Sequence, residues 1–305
     1  NRSALARLRC SRTRIDARLG PTAGGRAPDT MPMAAWFTVA LHVHSWLVAA
    51  GVMAAKALDT LAGRASSDLR FVPLNATSLA WTARQILPVY RQALPSTDPL
   101  NASSEALAMI SAMLITRVDV MIEAGTNTGL AAQRILSFWK AQGRRDLRFY
   151  TIDNDFMGYE RRFGHLTQTA AKLASFNGSG VRVHVMRADA LQELPKLIKK
   201  HRMQNVGVYM DGPPLEKAHR LCQALIDGWP CLKFCAFHDV APHLGFYYIP
   251  RFSAWNRIVL FTYQPFWRRQ FWELEPLDFP FRRGSDLASQ GWGLAIAKGN
   301  HPPDR

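Results

Sequence analysis

The stretch Val118-Asp119-Val120-Met121-Ile122-Glu123-Ala124-Gly125-Thr126-Asn127-Thr128-Gly129 decides the fold. An apolar strand runs into an acidic residue, Glu123. A turn marked by Gly125 and Gly129 follows, and an amphipathic helix opens behind it. A strand that ends in a glycine turn at a helix N-terminus lets backbone approach a nucleotide-like ligand closely.

Downstream, strand and helix patterns alternate. Strands are predicted at 118–123, 147–153, 181–187, 205–211 and 232–238. Helices are predicted between them at 129–142, 160–176, 190–202 and 214–227. Two further helical patterns, 78–93 and 102–116, precede the first strand across a Pro/Ser/Asp/Asn turn. Ile258–Tyr263 and Trp292–Ala297 are candidates to close the sheet. The pattern predicts an α/β Rossmann-like three-layer sandwich with a mostly parallel seven-stranded sheet, plus an N-terminal helical segment.

In such a sheet, ligands sit at the carboxyl ends of the strands. Each of the five ends here carries an acidic residue: Glu123, Asp153, Asp189, Asp211 and Asp239. Asp153 is placed to accept both ribose hydroxyls of a nucleoside, and Asp189 an adenine amino group. One acidic strand end is ordinarily a helix cap or turn former. Five in register point to a site.

Together, Ile-Glu-Ala-Gly-Thr-Asn-Thr-Gly (122–129), Tyr-Thr-Ile-Asp-Asn-Asp (150–155), Ala-Asp-Ala (188–190), Met-Asp-Gly-Pro (210–213) and Phe-His-Asp-Val (237–240) resemble the class I S-adenosylmethionine-dependent methyltransferases. The branch they look closest to is that of macrocin O-methyltransferases and cephalosporin-hydroxylase-like proteins. The resemblance covers about residues 105–240. It implies that Glu123, Gly125, Thr126, Asn127 and Gly129 surround the methionine part of the cofactor, with Asp153 on the ribose, Asp189 near adenine and Asp211 adjoining the same site. In metal-using relatives the carboxylates after the fourth and fifth strands hold Mg²⁺, which places Asp211 and Asp239 as metal ligands. His238 and Asp211 are then the candidate catalytic residues, His238 as a base near neutral pH. The implied reaction is methyl transfer to a hydroxyl of a small molecule or glycan.

This chain departs from the pattern in two places. Asn127 stands where many relatives have Gly, and Asn tolerates positive φ. Pro214 follows Pro213 where relatives often carry a His. Asp211-Gly212-Pro213-Pro214-Leu215 is not the Asp/Asn-Pro-Pro-aromatic motif of amino-directed nucleic-acid methyltransferases, so no nucleic-acid partner is expected. A non-catalytic methyltransferase-like binding module is the main alternative. A nicotinamide-dependent oxidoreductase is a weaker one, since its Gly-x-Gly-x-x-Gly spacing is absent.

The net charge of +15 raises the question of nucleic acid or an acidic membrane surface, and its distribution weakens it. Residues 1–30 hold seven Arg against two Asp, and the remaining excess is spread without a long basic block, as on a solvated surface. Met33 to Ala55 is a 23-residue run without Asp, Glu, Lys or Arg, long enough as a helix to cross a bilayer. Asn75, Asn101 and Asn177 each open an Asn-x-Ser/Thr sequon, as does Asn1. The chain therefore reads as a basic leader or tail (1–30), an apolar anchor, signal or targeting segment (31–63), a methyltransferase domain (64–299) with an aromatic cap at 242–290, and a tail (300–305). The expected address is the secretory pathway or Golgi, with a single-pass membrane anchor at 33–55 and a lumenal glycoprotein domain. A chloroplast or mitochondrial transit peptide and a buried core helix are the competing readings of the N-terminal third. Residues 242–281 hold thirteen aromatics with Arg251, Arg257, Arg268 and Arg269 interleaved. They are either a substrate-covering cap or an element that covers the core or joins subunits of a homo-oligomer. Cys222, Cys231 and Cys235 are expected as buried free thiols, with a disulfide among them left open.

Overall fold

The computed structural model describes residues 72–94, 103–143, 146–154, 165–178, 180–240, 255–271, 274 and 293–299. All belong to one compact unit, Arg70–Arg305. The apolar run 33–55, the sequon at Asn101, and the aromatic-segment residues Tyr247, Tyr248, Arg251 and Trp272 lie outside the described residues. Among the described residues no helix is long and apolar enough to cross a membrane.

Two helices come first, α1 (Ala76–Ala93) and α2 (Ser104–Ile115). Asn75 caps α1 through a reciprocal pair of bonds with Ser78, which satisfies two otherwise orphaned N–H groups. The two helices are joined by a buried phenol. Tyr90 Oη donates to the carbonyl of Ser103 and accepts from its N–H, both at 3.1 Å. That clamp sets where the N-terminus of α2 lies.

The alternation then follows as β1 (Val120–Ala124), α3 (Leu130–Ala141), β2 (Leu147–Asp153), α4 (His165–Ala174), β3 (Val181–Arg187), α5 (Ala190–Lys200), β4 (Val206–Met210), α6 (Leu215–Gly228) and β5 (Leu232–Phe237). β6 (Ile258–Phe261), α7 (Pro265–Phe271) and β7 (Ala295–Lys298) complete it. The seven strands form one sheet in the order β3-β2-β1-β4-β5-β7-β6. The first five are parallel, and β7 runs antiparallel between β5 and β6. This is the mostly parallel seven-stranded sheet expected from the sequence, with both closing strands found.

β1 and β4 are buried at every position, as central strands covered on both faces must be. One face packs Met121, Phe149, Phe234 and Ile296 under α1, α2, α3 and α7. The other packs Ile122, Ile152, Val208 and Phe237 under α5 and α6. Trp267 and Phe271 of the aromatic segment are fully buried on the first face, with ring centroids 4.4 Å apart. Trp255 stands edge-on to His219 and Phe237 on the second. Trp267 and Phe271 are core, and Trp255 is partly buried against it, so these three take the covering role.

The thiol expectation is corrected for two cysteines. Cys222 on α6 and Cys235 on β5 form a disulfide, while Cys231 is free and buried. Packing of α6 on β5 brings their Cα atoms to 6.5 Å, a separation a disulfide spans. Sequence spacing could not reveal this, because the pair is made across two elements. The bridge closes a short loop, for which chain entropy predicts a stabilisation of roughly 2–4 kcal/mol. Cys222→Ala/Cys235→Ala is expected to lower the free energy of unfolding by that amount in urea melts. Alkylation of both thiols in the native, unreduced protein would contradict the bridge.

Candidate functional site

The sheet order reverses between β1 and β4, and a crevice outside the strand ends forms at such a point. Its floor is made by two glycines. Gly125 has φ +103°, and a Cβ there would lie 2.5 Å from the Gly212 nitrogen; a Cβ on Gly212 would lie 2.9 Å from the Gly125 Cα. The turns after β1 and β4 thus pack backbone on backbone, joined by the Asp211 N–H to the Ala124 carbonyl at 2.7 Å. Gly125 serves this contact between turns, where the sequence reading had it serve approach to a ligand. Gly129, at φ +70°, precedes α3, and a Cβ there would meet Thr169 on α4 at 2.7 Å.

Between the glycines, Asn127 does take positive φ, at 42°. Its backbone N–H donates to Asp153 Oδ2 at 3.0 Å. The carboxylate at the end of β2 is thereby tied to the exposed tip of the turn. Thr126 is buried beneath, and its hydroxyl meets Thr151 Oγ1 at 2.6 Å. Thr151 Oγ1 donates in turn to Glu123 Oε2 at 2.5 Å.

Glu123 is therefore under the turn and not on its surface. It is 1% exposed, and burial pushes its carboxyl up to about 8, the Thr151 bond only partly opposing this and Asp211 and Asp153 adding to it. In the sheet Glu123 lies beside Thr151 on one side and Tyr209 on the other. The Tyr209 phenol is wholly buried and held well above its ordinary range, by burial first and then by the charges of Asp211, Glu105 and Glu123.

Asp189 follows the end of β3. Its Oδ1 accepts from the Leu191 N–H at 2.9 Å and its Oδ2 contacts Gln192 Nε2 at 3.3 Å, so it is the N-cap of α5. The structure gives Asp189 the local cap role that a lone Asp at this position ordinarily has.

At the ends of β4 and β5 the remaining residues converge. His238 Nδ1 lies 2.9 Å from Asp211 Oδ1 and 2.9 Å from Asp239 Oδ1. Nδ1 is shielded from solvent between the two carboxylates. On the other side Nε2 lies 3.1 Å from Glu105 Oε2. Burial alone would lower His238, but the charges of Glu105 and Asp211, with Asp239 beside them, outweigh it and hold the ring well above its ordinary range. The three carboxylates around the ring are what favour its protonated form.

Glu105 was missed by sequence reasoning. It lies in the first turn of α2, more than a hundred residues from its partner, and first-turn acidic residues are common there. Its Oε1 accepts from the Gly293 N–H at 2.9 Å, so both carboxylate oxygens are engaged. Asp239 adopts φ +60°, a left-handed conformation that costs of order 1 kcal/mol outside glycine. Asp211, His238 and Asp239 together offer three ligand atoms within 4.8 Å of one another. This donor set fits a divalent cation.

No family model and no curated protein sequence matches the chain. Solved structures do. The TDP-rhamnose 3′-O-methyltransferase of calicheamicin biosynthesis is 13% identical over 81% of this chain and 93% of its own, at a TM-score of 0.36. An SAH-bound methyltransferase from Podospora anserina is 13% identical over 81% and 96%, at 0.35. A Staphylococcus aureus protein provisionally described as a caffeoyl-CoA O-methyltransferase is 14% identical over 72% and 92%, at 0.36. Overlaps this loose leave the fold to rest on the strand order itself.

Two outcomes test the geometry of the crevice floor. Gly125→Ala is expected to destabilise the protein by more than about 2 kcal/mol, since its Cβ meets backbone that cannot yield and its φ is unfavourable. A Gly125→Ala protein with wild-type urea midpoint would refute the contact. Glu123 binds its proton more tightly folded than unfolded, so its contribution is most favourable at acid pH and is lost as pH rises from roughly 5 to 8. Glu123→Gln should remove that slope, gaining on the order of a few kcal/mol over wild type above pH 8. Parallel stability–pH curves for the two proteins would be the contrary result.

Proposed function

We propose that this chain is an S-adenosylmethionine-dependent methyltransferase acting on a hydroxyl of a small molecule or sugar. The observation that carries the reading is the joining of Asp153 to the Asn127 N–H at the switch point of a seven-stranded sheet whose β7 is antiparallel. It sets an acidic acceptor for ribose hydroxyls beside the turn where the rest of the cofactor would lie. The four-residue spacing of Gly125 and Gly129 disfavours a dinucleotide; Gly125 packs against the turn after β4 and Gly129 against α4.

In the proposed reaction the methyl group leaves the sulfonium sulfur as the bond to the acceptor oxygen forms. The products are S-adenosylhomocysteine and a methyl ether. Positioning of the two reactants in line supplies most of the effect. The hydroxyl proton passes to a carboxylate of the cluster at the ends of β4 and β5, with Asp211 nearest the crevice floor. A divalent ion on Asp211 and Asp239, Mg²⁺ in the metal-using proteins the chain resembles, would lower the pKa of the acceptor hydroxyl. Buried Glu123 and Tyr209 keep the floor of this cluster rigid and dry. The sugar methyltransferase among the structural neighbours is in keeping with a glycan or polyol acceptor.

The proposed address is the lumen of the secretory pathway, with residues 33–55 as anchor and a mitochondrial or chloroplast location as the alternative. The Cys222–Cys235 bridge supports it, because such bonds persist in oxidising compartments. So does the exposed position of Asn177 on the turn after α4, where a sequon is accessible.

Calorimetric titration of the full chain with S-adenosylhomocysteine and with NAD(H) tests the assignment. Saturable binding of the former is expected, weakened about 10-fold or more by Asp153→Ala, the loss of a charged hydrogen-bond acceptor. Binding of NAD(H) alone would overturn the reading, and an Asp153→Ala protein with unchanged affinity would overturn the pose.

A further inference from the structure

The contacts of His238 are odd for a simple ion pair. A protonated imidazole surrounded by carboxylates should aim each N–H at one oxygen. Here the Nδ1 atom is shared between two carboxylates, at 2.9 Å from oxygens of both Asp211 and Asp239, and is shut off from solvent. Each of these two separations is that of adjacent ligands on one metal ion. Adjacent ligands of an octahedral ion with bonds of roughly 2.0–2.1 Å stand about 2.8–3.0 Å apart, the bond length times the square root of two. Calcium bonds of 2.3–2.6 Å would open that edge to roughly 3.3–3.7 Å.

The far side of the ring completes the picture. Metal-binding histidines commonly donate their second ring N–H to a carboxylate, which fixes the tautomer and the ring plane. Glu105 Oε2 stands 3.1 Å from Nε2 for that purpose, and its other oxygen is fastened by the Gly293 N–H. The N-terminus of α2 that carries Glu105 is in turn clamped by Tyr90 on Ser103. At the opposite ligand, Asp239 is held in a left-handed conformation. These constraints converge on one point, the space between Nδ1 and the two Asp oxygens.

We propose that His238 Nδ1, Asp211 and Asp239 bind a first-row transition-metal ion, with Glu105 as the positioning residue that holds the imidazole ring. The proposal rests on reading Asp211 and Asp239 as metal ligands, and it replaces Mg²⁺ by a softer ion. An imidazole in the ligand set moves preference away from Mg²⁺ and Ca²⁺, which favour oxygen alone, and toward Mn²⁺, Fe²⁺, Co²⁺ and Zn²⁺. Asp211 and Asp239 are 26% and 39% exposed, which leaves the remaining coordination positions on the open side where an acceptor would arrive.

The test needs neither cofactor nor methyl transfer, so its failure is separable from failure of the proposed function. The full chain, stripped with a chelator, is titrated with Mn²⁺ while the electron paramagnetic resonance signal of the free ion is followed. One Mn²⁺ per chain is expected, retained against a roughly 100-fold excess of Mg²⁺. Spin-echo modulation of the bound ion should show a directly coordinated imidazole nitrogen, a measurement on the unaltered protein. His238→Ala should abolish that modulation and weaken Mn²⁺ binding. Glu105→Gln should keep the modulation and weaken binding about 10- to 100-fold. Absence of bound Mn²⁺, or bound Mn²⁺ without nitrogen modulation, would overturn the proposal; so would a Glu105→Gln protein of unchanged affinity.

Discussion

The contact between Gly125 and Gly212 is the constraint on which the site depends. Two adjacent strand ends can meet backbone to backbone only where neither carries a Cβ. That approach lets the Asp211 N–H reach the Ala124 carbonyl, and so places the Asp211 carboxylate over the floor of the crevice. The same turn carries Asn127 toward Asp153 on one side. Widening it by one methyl group would disturb the β2 and β4 ends together.

Around this floor the protein gathers negative charge at a cost. Glu105, Glu123, Asp153, Asp211 and Asp239 converge on the strand ends of a chain whose net charge is +15. The molecule manages them by different means. Glu123 is pushed toward its neutral form by burial, against the opposing pull of the Thr151 hydrogen bond. Asp153 is satisfied by backbone. Glu105, Asp211 and Asp239 share one imidazole, which is an arrangement waiting for positive charge from a proton or a metal ion. Such a concentration of like charge is unfavourable for folding and is expected where binding or chemistry requires it.

Much of this was legible from residues alone. The two periodicities located each of the five parallel strands to within two residues, because strands buried on both faces read as unbroken apolar runs. β1 and β4 are the clearest examples. The acidic strand ends were visible because a parallel sheet places all its carboxyl ends on one side. What was not legible came from contacts across the sheet or from distant helices. Glu105 carried no signal, since an acidic first-turn residue on α2 is ordinary until α2 is seen against β5. The cap bond of Asp189 to Leu191 was equally hidden, because a helix cap and an adenine acceptor have the same sequence signature. For Trp267 and Phe271 the sequence left cap and core-covering roles open, because helix periodicity on a short segment cannot say which face is covered.

By itself the sequence determined the α/β alternation, the order of strands along the chain, the glycine turn and the line of carboxylates, all of which depend on local pattern. Only the tertiary structure decided the order of strands in the sheet, with β7 between β5 and β6. It alone paired Cys222 with Cys235, buried Glu123 under Thr151, and set Glu105 against His238. The physical reason is the same in each case. Protonation, disulfide formation and metal binding depend on separations of a few ångströms between residues that the chain itself holds apart, and packing supplies those separations.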